Sequence, residues 1–325
     1  MTDDTYTKID SILGSFYDNN MIPHYDDNFA KEIIKIPKDV FEKRLKDVEK
    51  YRRVLKKIEK KPKIIQKSVE WHKKRSNMLS ASETHNYLKM TKSVLEKKKQ
   101  KCLQPMFQSS AMEWGCIFER VGREIYSHMN NISVTELGFL VHDQIKYYGA
   151  SPDGITSTGV LVEIKCPKTR VIDGKIPERY ISQMQGQMAV CGLKECDYAE
   201  FKFVEITEDE YLKQIEDTSQ YFGIVVKGDQ SDQSDQSDQS DNYIYSDLLD
   251  TVTNSYIKMK EYSGPKIYWK LDNYNIVRTF FDEKEWDNKY TPKLKEFWEL
   301  VQKDNGESKN REWLRQMINW FISVF

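Results

Sequence analysis

The sequence lacks any long hydrophobic run. No segment approaches the roughly 18 consecutive apolar residues that a membrane-spanning helix needs, so such a helix is excluded. The first residues, Met1 to Asp4, are polar and acidic, which is unlike a secretory signal. We therefore expect an intracellular protein that is neither secreted nor bound to a membrane.

Cysteine is scarce and irregularly spaced. The chain has 5 cysteines, an odd number, and none of them forms a Cys-x-x-Cys pair. A zinc or iron–sulfur site needs a tighter cluster of ligands, so the pattern argues against both. Reduced thiols are usual inside cells, and we expect this state for Cys102, Cys116, Cys166, Cys191 and Cys196.

Charge is distributed unevenly along the 325 residues, although the net charge is only −1. Residues 42–101 hold 21 Lys and Arg against 7 Asp and Glu, a net of +14, whereas 207–250 hold 12 acids against 2 lysines, a net of −10. A basic block of this kind is typical of a surface that binds a polyanion. It is equally typical of a solvated helix face, and charge alone does not decide between the two.

Apolar residues recur with helical spacing in some segments and as β-branched or alternating runs in others. The predicted helices cover about 39–61, 109–129, 177–192 and 282–303. The predicted strands cover 132–142, 146–150, 160–165 and 197–206, and a hairpin turning at Asp272-Asn273 is expected over 266–281. This order predicts an α/β protein in which a mixed β-sheet is flanked by helices.

The same pattern divides the chain into four parts. Residues 1–69 form a basic, helical N-terminal extension, and 70–206 contain the core. Residues 207–265 form an acidic insert, and 266–325 complete the core with the hairpin and the last helix. Within the insert, residues 229–241 repeat Asp-Gln-Ser without any apolar side chain, so they are expected to be disordered.

Acidic and basic side chains converge between Ser151 and Lys165. Asp153 follows Ser151-Pro152, and after a short predicted turn comes the β-branched, apolar run Val160–Ile164. Side chains alternate along a strand, so Glu163 and Lys165 point to the same face. Two carboxylates can hold a hard divalent cation, and a lysine beside them can stabilise an attacking water. These groups are the minimum for metal-assisted hydrolysis of a phosphodiester.

A third acid, Glu119, lies among apolar residues of the predicted helix 109–129. An acid is costly there without a partner, which makes it a candidate third ligand. Each of these groups also has a structural interpretation. Glu119 can form a salt bridge with Arg120, Arg123 or a distant lysine. The aspartate can serve an Asp-Gly turn, and the Glu-x-Lys pair can be a same-face ion pair.

Four blocks in this order resemble the lambda-exonuclease group of the PD-(D/E)xK nucleases, which includes the YqaJ-type viral recombinases and is related to viral alkaline exonucleases. The blocks are Trp71–Arg75 with Ser80–Glu83, Trp114–Glu119 with Tyr126, Ala150–Gly154 with Val162–Pro167, and Tyr180–Gln185. The resemblance spans about 70–206 and resumes over 266–303. It implies a PD-(D/E)xK restriction-endonuclease-like fold with 70–206 as its nuclease core.

The resemblance also implies roles for individual residues. The metal ligands would be the side chains of Glu119, Asp153 and Glu163 and the backbone carbonyl of Ile164. Lys165 would be the catalytic lysine. Gln183 would help to position the water and the lysine, with Gln185 as the competing choice, and Tyr180 and Ser151 would support the site.

By the same resemblance, Arg75 and Ser82 match the residues with which members of the family hold the terminal 5′-phosphate of DNA. An arginine binds phosphate through two donors, and a hydroxyl at a helix start adds another where the helix dipole favours an anion. An alternative is that Arg75 is one more surface charge of the basic block.

By resemblance, the protein is expected to be a Mg²⁺-dependent exonuclease, with Mn²⁺ as a substitute, that degrades double-stranded DNA from its ends in the 5′→3′ direction. The implied task is recombination or processing of viral or phage-type DNA, in the host cytoplasm or nucleus if the source is viral. The implied partners are double-stranded DNA, a single-strand annealing protein and further copies of the chain. The alternatives are an endonuclease of the same fold and a non-catalytic DNA-binding recombination partner.

Overall fold

A computed structural model describes residues 38–61, 64, 66, 68–100, 109–213, 220–228 and 243–303. The helices are α1 (Lys38–Glu59), α2 (Val69–Ser76), α3 (Thr84–Lys89), α4 (Lys92–Lys99), α5 (Ser110–Met129), α6 (Glu178–Cys191), α7 (Glu208–Leu212), α8 (Val252–Lys260), α9 (Glu283–Glu285), and α10 over 291–303. A π-helical turn, Trp286–Tyr290, joins α9 to α10.

Ten strands accompany these helices in the described residues. They are β1 (Leu79–Ser80), β2 (Val134–Thr135), β3 (Leu140–Val141), β4 (Tyr148–Ala150), β5 (Gly154–Thr156), β6 (Leu161–Lys165), β7 (Glu195–Ile206), β8 (Phe222–Lys227), β9 (Tyr243–Tyr245) and β10 (Lys266–Phe280). Seven of them form one sheet in the order β2-β5-β6-β7-β10-β8-β9, and β1, β4 and β3 form a small second sheet. The predicted fold class, a mixed sheet flanked by helices, is confirmed.

Strand β6 lies inside the large sheet and pairs in parallel with β7. All its residues except the last are buried, which explains why the run is apolar and β-branched on both faces. Val162 and Ile164 point to the face covered by α5, where they pack near Phe118. Leu161 points to the opposite face and packs with Met184 of α6. Because side chains alternate, Glu163 and Lys165 share the α6 face.

Helix α6 is held close to the small sheet at a glycine. A Cβ atom at Gly186 would lie 1.9 Å from the hydroxyl oxygen of Tyr148 and 3.1 Å from Cβ of Ala81. Tyr148 is fully buried, and its hydroxyl is 2.6 Å from the hydroxyl of Thr84. Both neighbours are buried, so glycine at this position allows the close approach of α6 to the small sheet.

A buried ion cluster joins β7 to β10. The guanidinium of Arg278 donates to both carboxylate oxygens of Asp197, at 2.7 and 2.9 Å, and to Glu195 at 2.7 Å. The Tyr126 hydroxyl donates to Asp197 at 2.6 Å. Both carboxylates are buried, and hydrogen bonding to Asp197 raises the pKa of Arg278 further above its ordinary range. The cluster ties α5 to two central strands.

The predicted hairpin over 266–281 is wrong. Residues Lys266–Phe280 form one continuous strand that pairs antiparallel along β7, and the register shifts between Leu271 and Asn273. The polar pair Asp272-Asn273 therefore marks a β-bulge rather than a turn. The structural reason is β7 itself, since its 12 residues provide a partner long enough to keep β10 extended through the bulge.

Part of the expected acidic insert belongs to the sheet. Strand β8 pairs with β10, and β9 pairs with β8, so both extend the sheet beyond the predicted core. The expected disorder of 229–241 lies outside the described residues, as do residues 1–37. The described cysteines, Cys116, Cys166, Cys191 and Cys196, are free thiols, and no helix in the described ranges is long and apolar enough to cross a membrane.

Candidate active site

Asp153 and Glu163 come together because β5 and β6 are antiparallel neighbours. Asp153 directly precedes β5, and its Oδ2 accepts the backbone N–H of Ile164 at 2.8 Å. This bond ties the aspartate to the strand that carries the glutamate. Arg123 of α5 adds a second tie by donating to the backbone carbonyl of Asp153 at 3.1 Å, while it pairs with Glu136 at 2.9 Å. The loop before β5 is therefore anchored from two sides.

Glu163 is fully buried, and both its carboxylate oxygens have partners. The ammonium of Lys165 donates to Oε1, and the side-chain amide of Gln187 on α6 donates to Oε2 at 2.6 Å. A buried carboxylate is expensive without such donors. The sequence prediction missed Gln187, although its position four residues after Gln183 places both on one face of α6.

Lys165 places a positive charge among three oxygens. Its Nζ contacts Glu163 Oε1, lies 3.1 Å from the backbone carbonyl of Ile164, and is 3.8 Å from Asp153 Oδ2. It also lies 5.1 Å from the ring centre of Tyr180, a cation–π distance. The structure thus brings together three of the four predicted ligands, the predicted lysine and the supporting tyrosine.

The electrostatics of this cluster favour a cation. Burial and the charge of Asp153 raise the pKa of Glu163 to about 7, although Lys165 and Gln187 oppose the rise. Burial lowers the pKa of Lys165, but the charges of Glu163 and Asp153 outweigh that effect, so its pKa lies above the ordinary value. Lys165 is therefore an ammonium at neutral pH, which can donate hydrogen bonds and stabilise negative charge but cannot accept a proton.

The donor set fits a hard divalent cation. Two carboxylates and a backbone carbonyl are the oxygen ligands that Mg²⁺ and Ca²⁺ prefer, and the Lys165 ammonium already contacts all three groups. A metal site formed by three acidic side chains is not seen in the part of the chain that the structure describes. No group of three or more His, Cys, Asp or Glu side chains in metal-binding proximity occurs among the described residues.

Glu119 is the expected ligand that stands apart. It lies on α5, which packs against the Val162 face of β6 rather than the Glu163 face. Its charge still acts near Lys165. Burial makes the largest contribution to the raised pKa of the adjacent Cys166 thiol, and the charge of Glu119 raises it further. Glu119 thus lies near the end of β6, and its role as a ligand stays a prediction.

The predicted phosphate-binding residues lie together. Arg75 Nη2 donates to Ser82 Oγ at 2.8 Å, and its guanidinium carbon is 4.1 Å from the centre of the Trp71 ring. The Trp71 indole N–H in turn donates to Ser151 Oγ at 2.9 Å. A chain of contacts therefore links this pair to the segment that carries Asp153. Trp71, for which the sequence predicted no individual role, is the connecting residue.

The described residues show Gln187, not Gln183, hydrogen-bonded to Glu163. Gln183 lies one turn earlier on the same face of α6, and its proposed role toward the water stays a prediction. Gln185, the competing choice, faces elsewhere. Its amide donates to the carbonyl of Phe280 at 2.8 Å and accepts the N–H of Asp282 at 2.9 Å, which makes it a clamp between α6 and the end of β10.

Residues 70–194 match the model of the YqaJ-like viral recombinase domain. The match to this model confirms the resemblance carried by the four sequence blocks. A curated relative, the uncharacterized protein R354 of Acanthamoeba polyphaga mimivirus, is 34% identical over 178 residues. The match covers 47% of this chain and 31% of the relative, so the chain spans about a third of that relative's length.

Some solved structures also resemble this chain. The alkaline exonuclease LHK-Exo of Laribacter hongkongensis aligns with 75% of this chain and 97% of its own, with 21% identity and a TM-score of 0.48. A phage related exonuclease of Haemophilus somnus 129PT aligns with 71% of this chain and 96% of its own, with 12% identity and a TM-score of 0.42.

Proposed function

We propose that the chain is a metal-dependent nuclease that degrades double-stranded DNA from its ends in the 5′→3′ direction. The observation that carries the proposal is the position of the Lys165 ammonium, in contact with Glu163 and Ile164 and 3.8 Å from Asp153. The match of residues 70–194 to the YqaJ-like viral recombinase domain supports a role on DNA. The biological task would be recombination or processing of viral or phage-type DNA.

The cofactor would be Mg²⁺, with Mn²⁺ as a substitute, held by Asp153, Glu163 and the carbonyl of Ile164, with Glu119 as the fourth ligand. When bound, such an ion would activate the attacking water and offset negative charge on the scissile phosphate.

The side chains around the cation position would divide the remaining work. Lys165 would donate to the attacking water or to a phosphate oxygen, and Gln183 would orient the same water. Tyr180 would hold Lys165 in place, and Ser151 would hold the loop that carries Asp153. Because these groups sit on β6, α6 and anchored loops, they would be positioned before substrate binds.

The basic residues of 42–101 would bind the DNA backbone without recognising its sequence, so affinity should fall steeply with salt. The proposed partners are double-stranded DNA, a single-strand annealing protein and further copies of the chain. The setting would be the host cytoplasm or nucleus if the source is viral.

Covalently closed circular DNA separates an exonuclease from an endonuclease. With Mg²⁺, the chain is expected to degrade a linear duplex and to leave an unnicked plasmid of the same sequence intact, because a closed circle offers no end. Gel analysis over time measures both. Cutting of the circle would favour the endonuclease alternative, and failure to degrade either DNA would favour the non-catalytic one.

Arg75→Met is expected to remove most of the preference for a 5′-phosphate over a 5′-hydroxyl end. A hydrogen bond to a charged group contributes about 1.5–3 kcal/mol, which corresponds to roughly 10- to 100-fold in that preference. Initial rates on duplexes that differ only in this end group measure it. The matched control, Lys74→Met, replaces an exposed neighbour and should slow both substrates equally. An unchanged preference in Arg75→Met would contradict the assignment.

A further inference from the structure

The amide of Gln187 has one polar contact among the described residues, and that contact is the buried acid of the site. Its Nε2 donates to Glu163 Oε2 at 2.6 Å, whereas its Oε1 is buried without a hydrogen-bond partner. Burial of an unpaired carbonyl opposes folding. An amide serves no backbone or capping function at this position, which separates Gln187 from Gln185, whose amide binds two backbone groups.

The contact decides which oxygen of Glu163 faces the proposed cation position. With Oε2 held by Gln187, Oε1 is left beside the Lys165 ammonium, near the carbonyl of Ile164 and Asp153. Without the hydrogen bond from Gln187, the Glu163 carboxylate would rotate more freely. Fixing its orientation on cation binding would then reduce the binding free energy.

The chemistry of the side chain suits the task. A lysine or arginine at 187 would bring a second positive charge into a pocket meant for a cation, and an acid would repel Glu163. A neutral amide donates a hydrogen bond to the second oxygen of the Glu163 carboxylate and leaves the charge of the pocket unchanged.

We propose that Gln187 is a positioning residue that orients Glu163 as a ligand for a divalent cation. The inference rests on the proposed function, because it takes Asp153, Glu163 and Ile164 as the cation site. It assigns to Gln187 the control of cation affinity, while Gln183, one turn earlier, is left to act on the water.

Calorimetric titration of the DNA-free chain with Mn²⁺ tests this assignment. Gln187→Met, similar in volume but without a donor, is expected to bind Mn²⁺ about 10- to 100-fold more weakly, the loss typical when a partner of a metal ligand is removed. The control Gln144→Met, which replaces an exposed glutamine outside the site, should keep the parental Mn²⁺ affinity. Thermal unfolding in EDTA checks that each variant is folded.

The outcomes are distinct. Parental Mn²⁺ affinity in a folded Gln187→Met would overturn the inference and leave the proposed function standing. If that variant fails to fold, Gln187→Asn keeps an amide but shortens its reach, and it should lose Mn²⁺ affinity in the same way. Loss of the fold in both variants would make Gln187 a purely structural residue. Absence of Mn²⁺ binding by the parent chain would remove the cation site and the inference together.

Discussion

Asp153→Asn is expected to abolish DNA degradation while the chain remains folded. The asparagine keeps an oxygen that can accept the Ile164 N–H, now 2.8 Å from Asp153 Oδ2, so the loop should stay anchored. It removes one of the two negative charges that would hold the cation. Loss of one preorganised electrostatic group typically costs about 10²- to 10³-fold in rate, and loss of a metal ligand should cost at least that much. Release of nucleotides from a labelled linear duplex in Mg²⁺ measures the effect.

Two comparisons sharpen this result. Asp287→Asn removes the same charge from an exposed position and should leave the rate unchanged. Lys165→Met should also lose activity, but it leaves Glu163 buried without its ammonium, so its thermal stability must be measured alongside. Near-parental Mg²⁺-dependent degradation by a folded Asp153→Asn would show that the reaction occurs elsewhere.

Arg278→Met is expected to produce a large loss of stability. The substitution leaves Asp197 and Glu195 buried without the guanidinium that donates to both. Breaking a fully buried pair costs about 3–5 kcal/mol, but the Arg278 side chain is 38% exposed, so water offsets part of the loss and about 2–3 kcal/mol is expected. At roughly 1.5–2 °C per kcal/mol for a chain of 325 residues, Tm should fall by roughly 3–6 °C.

The matched control is a surface ion pair. Lys295 lies 4.0 Å from Glu299 on α10, and both side chains are about two-thirds exposed. Lys295→Met should therefore change the free energy of unfolding by less than about 0.5 kcal/mol. Equal Tm values for Arg278→Met and Lys295→Met would contradict the view that the cluster stabilises the junction of β7, β10 and α5.

Local patterns in the sequence predicted the elements around the site well. Helix α5 and strand β6 were predictable because an amphipathic period and a β-branched run each have one dominant interpretation. The grouping of Asp153, Glu163 and Lys165 followed from strand alternation and a short connection. These patterns depend only on residues that are close together in the sequence, so contacts with distant segments do not change them.

What could not be predicted depends on contacts between distant segments. Whether Asp272-Asn273 forms a turn or a bulge is decided by the length of β7, which local propensity does not contain. Which glutamine of α6 reaches Glu163 depends on where the helix lies against β6, and the observed partner is Gln187. The side of β6 on which Glu119 lies follows from how α5 packs.

The central claim is that Asp153, Glu163 and the carbonyl of Ile164 form one cation site beside Lys165. The most direct measurement is a crystal structure of the chain soaked in Mn²⁺, with an anomalous difference map. Our account predicts a peak within about 2.0–2.6 Å of oxygens from both carboxylates, with the Lys165 ammonium displaced from between them. An anomalous peak bound by other residues, with Asp153 and Glu163 still paired to Lys165, would contradict it.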